Sequence, residues 1–148
     1  MTIVERDRAQ QLLSNFVGRT LSSLECGEFE LRLIFEDKSE FVTRSPWRLT
    51  LRGDLLTGSG DSKERSSGEI LKHLNGLRVV STHISDYGDT KLFFEKDHVV
   101  EAVSDSVQYE TWEAHLEVGW IIFSAGGGVT VFPPAAAAEV RSPLRHQD

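Results

Sequence analysis

Two parts of this sequence follow the same order of residues, and that repetition constrains the fold more than any other feature. The glycines Gly18 and Gly76 open the two copies, and Trp47 and Trp112 stand in the last strand of each. The matching segments between them are Phe16–Ser23 with Leu74–Ser81 and Leu33–Lys38 with Leu92–Asp97. Self-similarity in one order indicates that a structural unit is used twice. We therefore expect an internal duplication over about residues 16–52 and 74–118.

The apolar residues within each copy are spaced as in β-strands. Apolar residues alternate with mostly charged ones over 29–36 and 47–52, and Trp112 shares one face with Ala114, Leu116 and Val118. A period of two predicts a strand with one buried face. Roughly four such strands in each copy predict an antiparallel meander. Two meanders enclosing one core would form a packed sandwich or a partly open barrel.

Two helices and a closing hairpin complete the expected α+β, mostly β fold. Apolar residues at helical spacing predict a short N-terminal helix over 5–16. Asp61 caps a second predicted helix that joins the copies and stops at Asn75-Gly76. Residues 120–132 predict a hairpin with a glycine turn, whereas the turn-rich segment 53–60 is expected to be irregular.

Length and composition favour one domain over residues 1–134, followed by a flexible tail at 135–148. Cys26 is the single cysteine, so an intrachain disulfide is excluded and a reducing, cytoplasmic location is expected. The longest apolar run, Trp120 to Phe123, is too short to span a membrane, and the charged N-terminus is unlike a secretory signal. The formal net charge of −7 argues against nucleic acid and favours a basic partner.

The histidines give no sign of a metal centre. None of the five forms a His-x-x-x-His pair or another recognised ligand spacing. No nucleotide-binding loop and no activated serine or cysteine is recognisable either, because Gly126-Gly127-Gly128 lacks a following helix. We therefore expect no metal and no cofactor.

Two sets of polar side chains are candidates for function, although no catalytic residue is assigned outright. Tyr109, Glu113 and His115 share the polar face of the Trp112 strand, and they could transfer protons if they lined a cleft. The same stripe is also typical of a solvated strand face. The second set consists of acidic residues in predicted turns, where they would contact a basic partner: Glu36, Asp37, Asp86, Asp89, Glu95 and Asp97.

Trp47-Arg48-Leu49 and Tyr109-Glu110-Thr111-Trp112-Glu113 resemble motifs of an uncharacterised bacterial family of small duplicated β domains, over about Phe16 to Phe132. That resemblance implies no activity. In size, charge and style the chain is also similar to immunity proteins that neutralise bacterial toxins, which implies a protein partner.

Three hypotheses for function follow from these observations. The first is a non-enzymatic binding protein that recognises a basic partner, as an immunity protein would. The second is a small enzyme or ligand-binding domain that uses the 109–117 stripe or a pocket between the copies. The third is a homodimer joined through an exposed strand edge.

Overall fold

The computed structural model describes residues 3–28, 30–44, 46–61, 65–105, 111–117, 119, 121–125 and 128–134. The helices and strands are α1 (Ile3–Leu13), β1 (Leu21–Cys26), β2 (Leu31–Phe35), β3 (Glu40–Thr43), β4 (Trp47–Leu51), β5 (Asp54–Gly58), α2 (Arg65–Leu71), β6 (Val79–Ile84), β7 (Thr90–Phe94), β8 (His98–Ala102), β9 (Trp112–His115), β10 (Ile121–Ala125) and β11 (Gly128–Phe132). Short 3-10 turns follow α1, β5 and α2. No helix in the described ranges combines the length and apolar character that crossing a membrane requires.

The strands form two antiparallel sheets, which confirms the mostly β prediction and gives no closed barrel. One sheet has the order β1-β2-β3-β9-β10-β11 and the other β5-β4-β8-β7-β6. The inner faces of both sheets contribute to one cluster of buried side chains. α1 contacts β6 and β11, while α2 contacts β1 and β5, so each helix packs against both sheets.

Each sheet combines strands from both halves of the chain. β4 follows β3 in sequence but pairs with β5 and β8, and β9 follows β8 but pairs with β3 and β10. The fourth strand of each half therefore pairs with a strand of the other half, contrary to the prediction of a four-stranded meander within each copy. Alternation determines which face a strand buries, but it does not determine which strand is the neighbour.

The apolar periodicities correctly identify much of the core. Ala9, Leu13 and Phe16 are buried beneath α1 and its 3-10 turn, as the helical spacing predicts. On β9, Trp112 and Ala114 are fully buried and Leu116, just after the strand, is nearly so. Burying such faces supplies most of the stability of a domain of this size.

The two halves also match in local geometry. Gly18 and Gly76 both have a positive φ, +86° and +88°, a conformation that glycine adopts at little cost. β1 and β6 each contain a register irregularity, after Leu21 and Val79 respectively. The amide of Gly18 donates to the carbonyl of Val79, and the amide of Gly76 donates to the carbonyl of Leu21. These equivalent bonds join the two sheets at one corner.

The prediction of an irregular segment over 53–60 is wrong, because Asp54–Gly58 forms the edge strand β5. The turn residues misled the prediction: Arg52-Gly53 makes the tight connection, and the strand starts immediately afterwards. β5 pairs with β4 alone among the described strands, so the predicted homodimer through a strand edge stays a prediction. Some of the predictions concern residues that lie outside the described ranges: Phe29, Trp120, 62–64 and 135–148.

Candidate acid-base pair and acidic hollow

The carboxylate of Glu113 contacts the imidazole of His115 on the outer face of β9, and the two form an ion pair when the imidazole is protonated. Glu113 Oε1 lies 3.2 Å from His115 Nε2 and 3.6 Å from Arg44 Nη2. Burial alone would raise the pKa of the Glu113 carboxyl, but the hydrogen bond and charge of His115, with the charges of Arg44 and Arg32, lower that pKa below its usual value. A carboxylate that stays ionised beside an imidazole can orient the ring and stabilise its protonated form.

This pair belongs to a network of charges that crosses the six-stranded sheet. Arg44 Nε lies 3.2 Å from Glu30, and Arg32 lies 3.1 Å from Glu30 and 2.7 Å from Glu40. The hydrogen bond to Glu40 is the main cause that raises the pKa of Arg32. Val42 stands between Arg32 and Glu113 in the strand register and is buried, although it lies outside the main core. The charged side chains therefore cover an apolar residue as well as pairing with one another.

An acidic hollow of about 480 Å³ opens at the end of β9, beside the turn between β2 and β3. Its lining consists of Glu36, Asp37, Lys38, Glu40, His115, Leu116 and Glu117. Four of these side chains are carboxylates, and one is a lysine. The structure thus brings two residues of the predicted turn set, Glu36 and Asp37, next to His115 of the predicted acid-base set.

The carboxylates of the hollow differ in how they are held. Asp37 accepts hydrogen bonds from the amide and the hydroxyl of Ser39 and pairs with Arg19 Nε at 3.2 Å. Glu40 pairs with Arg32 in the network described above. Glu36 and Glu117 are exposed, and no ion pair joins either of them to another described residue. These two side chains carry the charge available to a ligand.

The corresponding place in the other sheet is not acidic. Trp47 is the first residue of β4, which pairs with β8, and Trp112 is the first residue of β9, which pairs with β3. Counted from these two tryptophans, Arg52 stands at the position that corresponds to Glu117. Arg52 Nε lies 3.5 Å from an oxygen of Asp97 in the adjacent turn. The same local geometry therefore carries an opposite charge, and the acidity of the hollow does not follow from the fold alone.

Residues 12–133 match the model of a family of unknown function, DUF6188. The chain belongs to this family. The DUF6188 match confirms the coarse prediction of membership in an uncharacterised family over about Phe16 to Phe132. Bacterial origin and the likeness to immunity proteins stay predictions. No curated protein matches this DUF6188 chain at a significant level, and neither does any solved structure.

The six acidic turn residues of this DUF6188 protein do not form one surface. Asp86 and Asp89 lie in the turn before β7, whereas Glu95 and Asp97 lie in the turn after it. Since β7 has five residues, the two turns are separated by about 16 Å at ~3.3 Å per residue. Glu36 and Asp37 lie at the same end as Glu95. The amide of Glu36 donates to the carbonyl of Thr20, the amide of Glu95 donates to the carbonyl of Arg78, and Thr20 and Arg78 form a β-bridge between the two sheets.

Two more of these residues have structural partners. Asp89 Oδ1 accepts from the amide of Ser104, at 2.8 Å. The carboxylate of Glu95 accepts from the amide of Arg78 at 2.8 Å, and that hydrogen bond is the main reason that the pKa of Glu95 is lowered. Asp86 and Asp97 are largely exposed and make ion pairs at 3.5 Å with Arg6 and Arg52 respectively.

Sequence reasoning placed Glu117 on the 109–117 stripe with His115, but it missed Glu40 and Lys38 as neighbours of the candidate residues. Their signal lies in the pairing of β3 with β9, which places Glu40 opposite His115. Tyr109, the third acid-base candidate, lies outside the described residues. Within the described ranges no group of three or more His, Cys, Asp or Glu residues is placed to hold a metal ion.

Proposed function

We propose that this chain is a non-enzymatic binding protein that recognises a basic protein partner through the acidic hollow. The observation that carries the proposal is the pair Glu36 and Glu117, exposed carboxylates beside a concave site and without ion-pair partners among the described residues. An arginine or lysine from a partner would neutralise this charge. Charge-assisted hydrogen bonds of that kind are stronger than neutral ones.

Net charge and local charge favour the same partner. The formal net charge of −7 attracts a basic protein at long range, and the hollow offers it a defined place to bind. Neutralisation of a basic toxin in the cytoplasm is the specific form of this proposal. The acidic composition and the single cysteine support it.

The proposal is tested with a capped arginine-rich peptide as the probe. The double variant Glu36→Lys with Glu117→Lys should weaken peptide binding by about tenfold or more, since it reverses both available charges. The matched control is Asp54→Lys with Asp97→Lys, which makes the same change in net charge at two exposed positions of the five-stranded sheet. Binding measured by calorimetry should be nearly unaffected by the control substitutions.

Salt provides a second measurement on the wild-type protein. Affinity for the peptide should fall steeply between 0.1 M and 1 M salt, because the Debye length falls from ~10 Å to ~3 Å. Equal losses in the two double variants would mean that the peptide senses net charge only. Affinity that does not change with salt would refute the electrostatic basis of the proposal.

A catalytic function is a second candidate, favoured by the 3.2 Å contact between Glu113 and His115 next to the hollow. An imidazole oriented by a carboxylate is a common general base. Hydrolase activity lost in both His115→Ala and Glu113→Gln but kept in Glu36→Lys would favour this candidate. Peptide binding lost in Glu36→Lys but kept in His115→Ala would favour the first.

We also propose that the two halves arose by duplication. The support is the equivalent positive-φ glycines, the equivalent irregularities in β1 and β6, and the reciprocal hydrogen bonds between Gly18, Leu21, Gly76 and Val79. The rings of Phe35 and Phe94 stack across this junction, 6.4 Å apart, and they occupy matching positions in the two copies. Arg52 in the place of Glu117 then indicates that the two copies diverged in charge.

A further inference from the structure

Tyr87, at the tip of the turn between β6 and β7, is the most exposed large hydrophobic residue in the described part of the chain. Its relative exposure is 78%, against 65% for Leu55 and 54% for Val80. No hydrogen bond involves its hydroxyl, and its ring has no aromatic neighbour, among the described residues. The neighbouring Asp86 side chain is 85% exposed. The turn therefore presents an aromatic ring and a carboxylate to solvent side by side.

The backbone of this turn is held by several hydrogen bonds. Ser85 Oγ accepts from the amides of Tyr87 and Asp89, at 3.2 and 3.0 Å. The amide of Ser85 donates to the carbonyl of Asp89 at 2.8 Å, and the amide of Gly88 donates back to the carbonyl of Ser85 at 3.1 Å. A turn closed in this way loses little conformational entropy when a partner binds it.

The turn is also attached to the core of the domain. Trp112 Nε1 donates to the carbonyl of Gly88 at 2.7 Å, and the indole is fully buried. The buried N–H needs an acceptor, so this bond explains why the turn has a fixed position. It does not explain why residue 87 is aromatic, because the Tyr87 side chain points away from these contacts into solvent.

The other described hairpin tips differ from this one. Lys38 lies at the tip between β2 and β3, Lys96 and Asp97 lie at the tip between β7 and β8, and Arg52-Gly53 lies between β4 and β5. Charged residues and glycine are usual at solvated turns. Among the tips whose residues are all described, the one at 85–89 alone carries a large aromatic side chain; the tip between β1 and β2 includes Phe29, which lies outside the described residues.

We propose that the turn 85–89 is a docking element, in which Tyr87 inserts into an apolar pocket of a partner protein while Asp86 pairs with a basic residue at the rim of that pocket. Tyrosine is enriched among the residues that dominate binding energy, since it supplies a large amphipathic surface with few rotatable bonds. The adjacent carboxylate selects a cationic rim by charge complementarity. Asp86 is the exposed member of its ion pair with Arg6, and Arg6 also pairs with Asp7 at 2.8 Å, so Arg6 keeps a carboxylate partner when Asp86 pairs with a cation of the partner protein.

This surface is separate from the acidic hollow. The hollow lies beyond the other end of β7, at the turn that carries Glu36 and Asp37, so the proposal does not depend on the function proposed above. Loss of binding at the hollow and loss of binding at the turn can therefore be distinguished by separate variants.

The first step of the test uses the full chain in its native cell, with photoreactive p-benzoylphenylalanine replacing Tyr87. Matched controls carry the same group at Leu55 and Val80, which are also exposed. Irradiation should give a discrete cross-linked protein at position 87 that is absent from both controls. Absence of a discrete adduct at 87, or the same adduct at all three positions, would overturn the proposal.

In the second step, the partner identified from the adduct is purified on its own, and its affinity is measured for wild type and for variants without the photoreactive group. Tyr87→Ala should weaken binding by about tenfold or more, while Tyr87→Phe should stay within about threefold of wild type. Asp86→Asn should slow association and reduce its dependence on salt. An unchanged affinity in Tyr87→Ala would overturn the proposal. Unchanged melting temperatures would establish that the variants are folded, as expected for exposed positions.

Discussion

Replacing Trp112 by phenylalanine should destabilise the protein more than the same replacement of Trp47. Both residues are buried at the start of matching strands, with exposures of 0% and 4%. They differ in the indole N–H, because Trp112 Nε1 donates to the buried carbonyl of Gly88, whereas the Trp47 indole makes no hydrogen bond within the described residues. The comparison therefore isolates one buried hydrogen bond.

The magnitude follows from the group that is left behind. Trp112→Phe keeps an aromatic ring to stack on Phe41, which lies 5.5 Å away, but it leaves the Gly88 carbonyl without its donor. A buried polar group left unsatisfied costs about 1 to 3 kcal/mol. We expect Trp112→Phe to exceed Trp47→Phe by this amount. Either alanine substitution should cost about 3 to 5 kcal/mol, as for other large core aromatics.

Urea unfolding followed by circular dichroism measures these differences without relying on the fluorescence of the tryptophans that are replaced. The unfolding midpoint should shift, while the slope with urea stays close to that of wild type. Equal losses in the two phenylalanine variants would show that the bond to Gly88 contributes nothing. A larger loss in Trp47→Phe would refute the reasoning altogether.

Two further predictions concern stability. The pKa of Glu113 is lowered in the folded state, so its charge stabilises the fold at pH values above the pKa of the unfolded chain, and this contribution is lost as pH falls through the lower folded pKa. The difference in unfolding free energy between wild type and Glu113→Gln, measured in urea from pH 7 to 3, should therefore shrink on acidification. A constant difference would contradict this. Gly58→Ala should lower the free energy of unfolding by about 1 to 3 kcal/mol, since the added Cβ would lie 2.8 Å from the Trp47 carbonyl oxygen. Gly60→Ala is the control: it has open space around it and should be nearly neutral in the same unfolding assay.

The sequence predicts well whatever depends on local periodicity. The helical spacing of Ala9, Leu13 and Phe16 and the alternation from Trp112 to Leu116 correspond to buried faces. A strand buries one face whatever its neighbours are, so these predictions needed no knowledge of topology. Val42 is an informative exception: on β3 it alternates with the buried Phe41 and Thr43, so it lies on the opposite, polar face, yet it is itself buried beneath charged side chains.

The candidate site could be predicted only in fragments. Glu113 and His115 lie two residues apart on one strand, so a contact between them follows from the sequence alone. Their position beside Glu36 and Glu40 requires β9 to pair with β3 instead of with β8, its predecessor in sequence. No local pattern distinguishes these two pairings, since both bury the same apolar face of β9.

The exchange of strands between the two halves has a consequence for the site. The turn at Glu36 belongs to the first half, and His115 and Glu117 belong to the second, so neither half contains a complete hollow. In the other sheet the same exchange places Arg52, from the first half, beside Asp97, from the second. A substitution in one half therefore changes the charge of a surface to which the other half also contributes residues. The two sheets of one fold can in this way carry one acidic hollow and one neutralised surface.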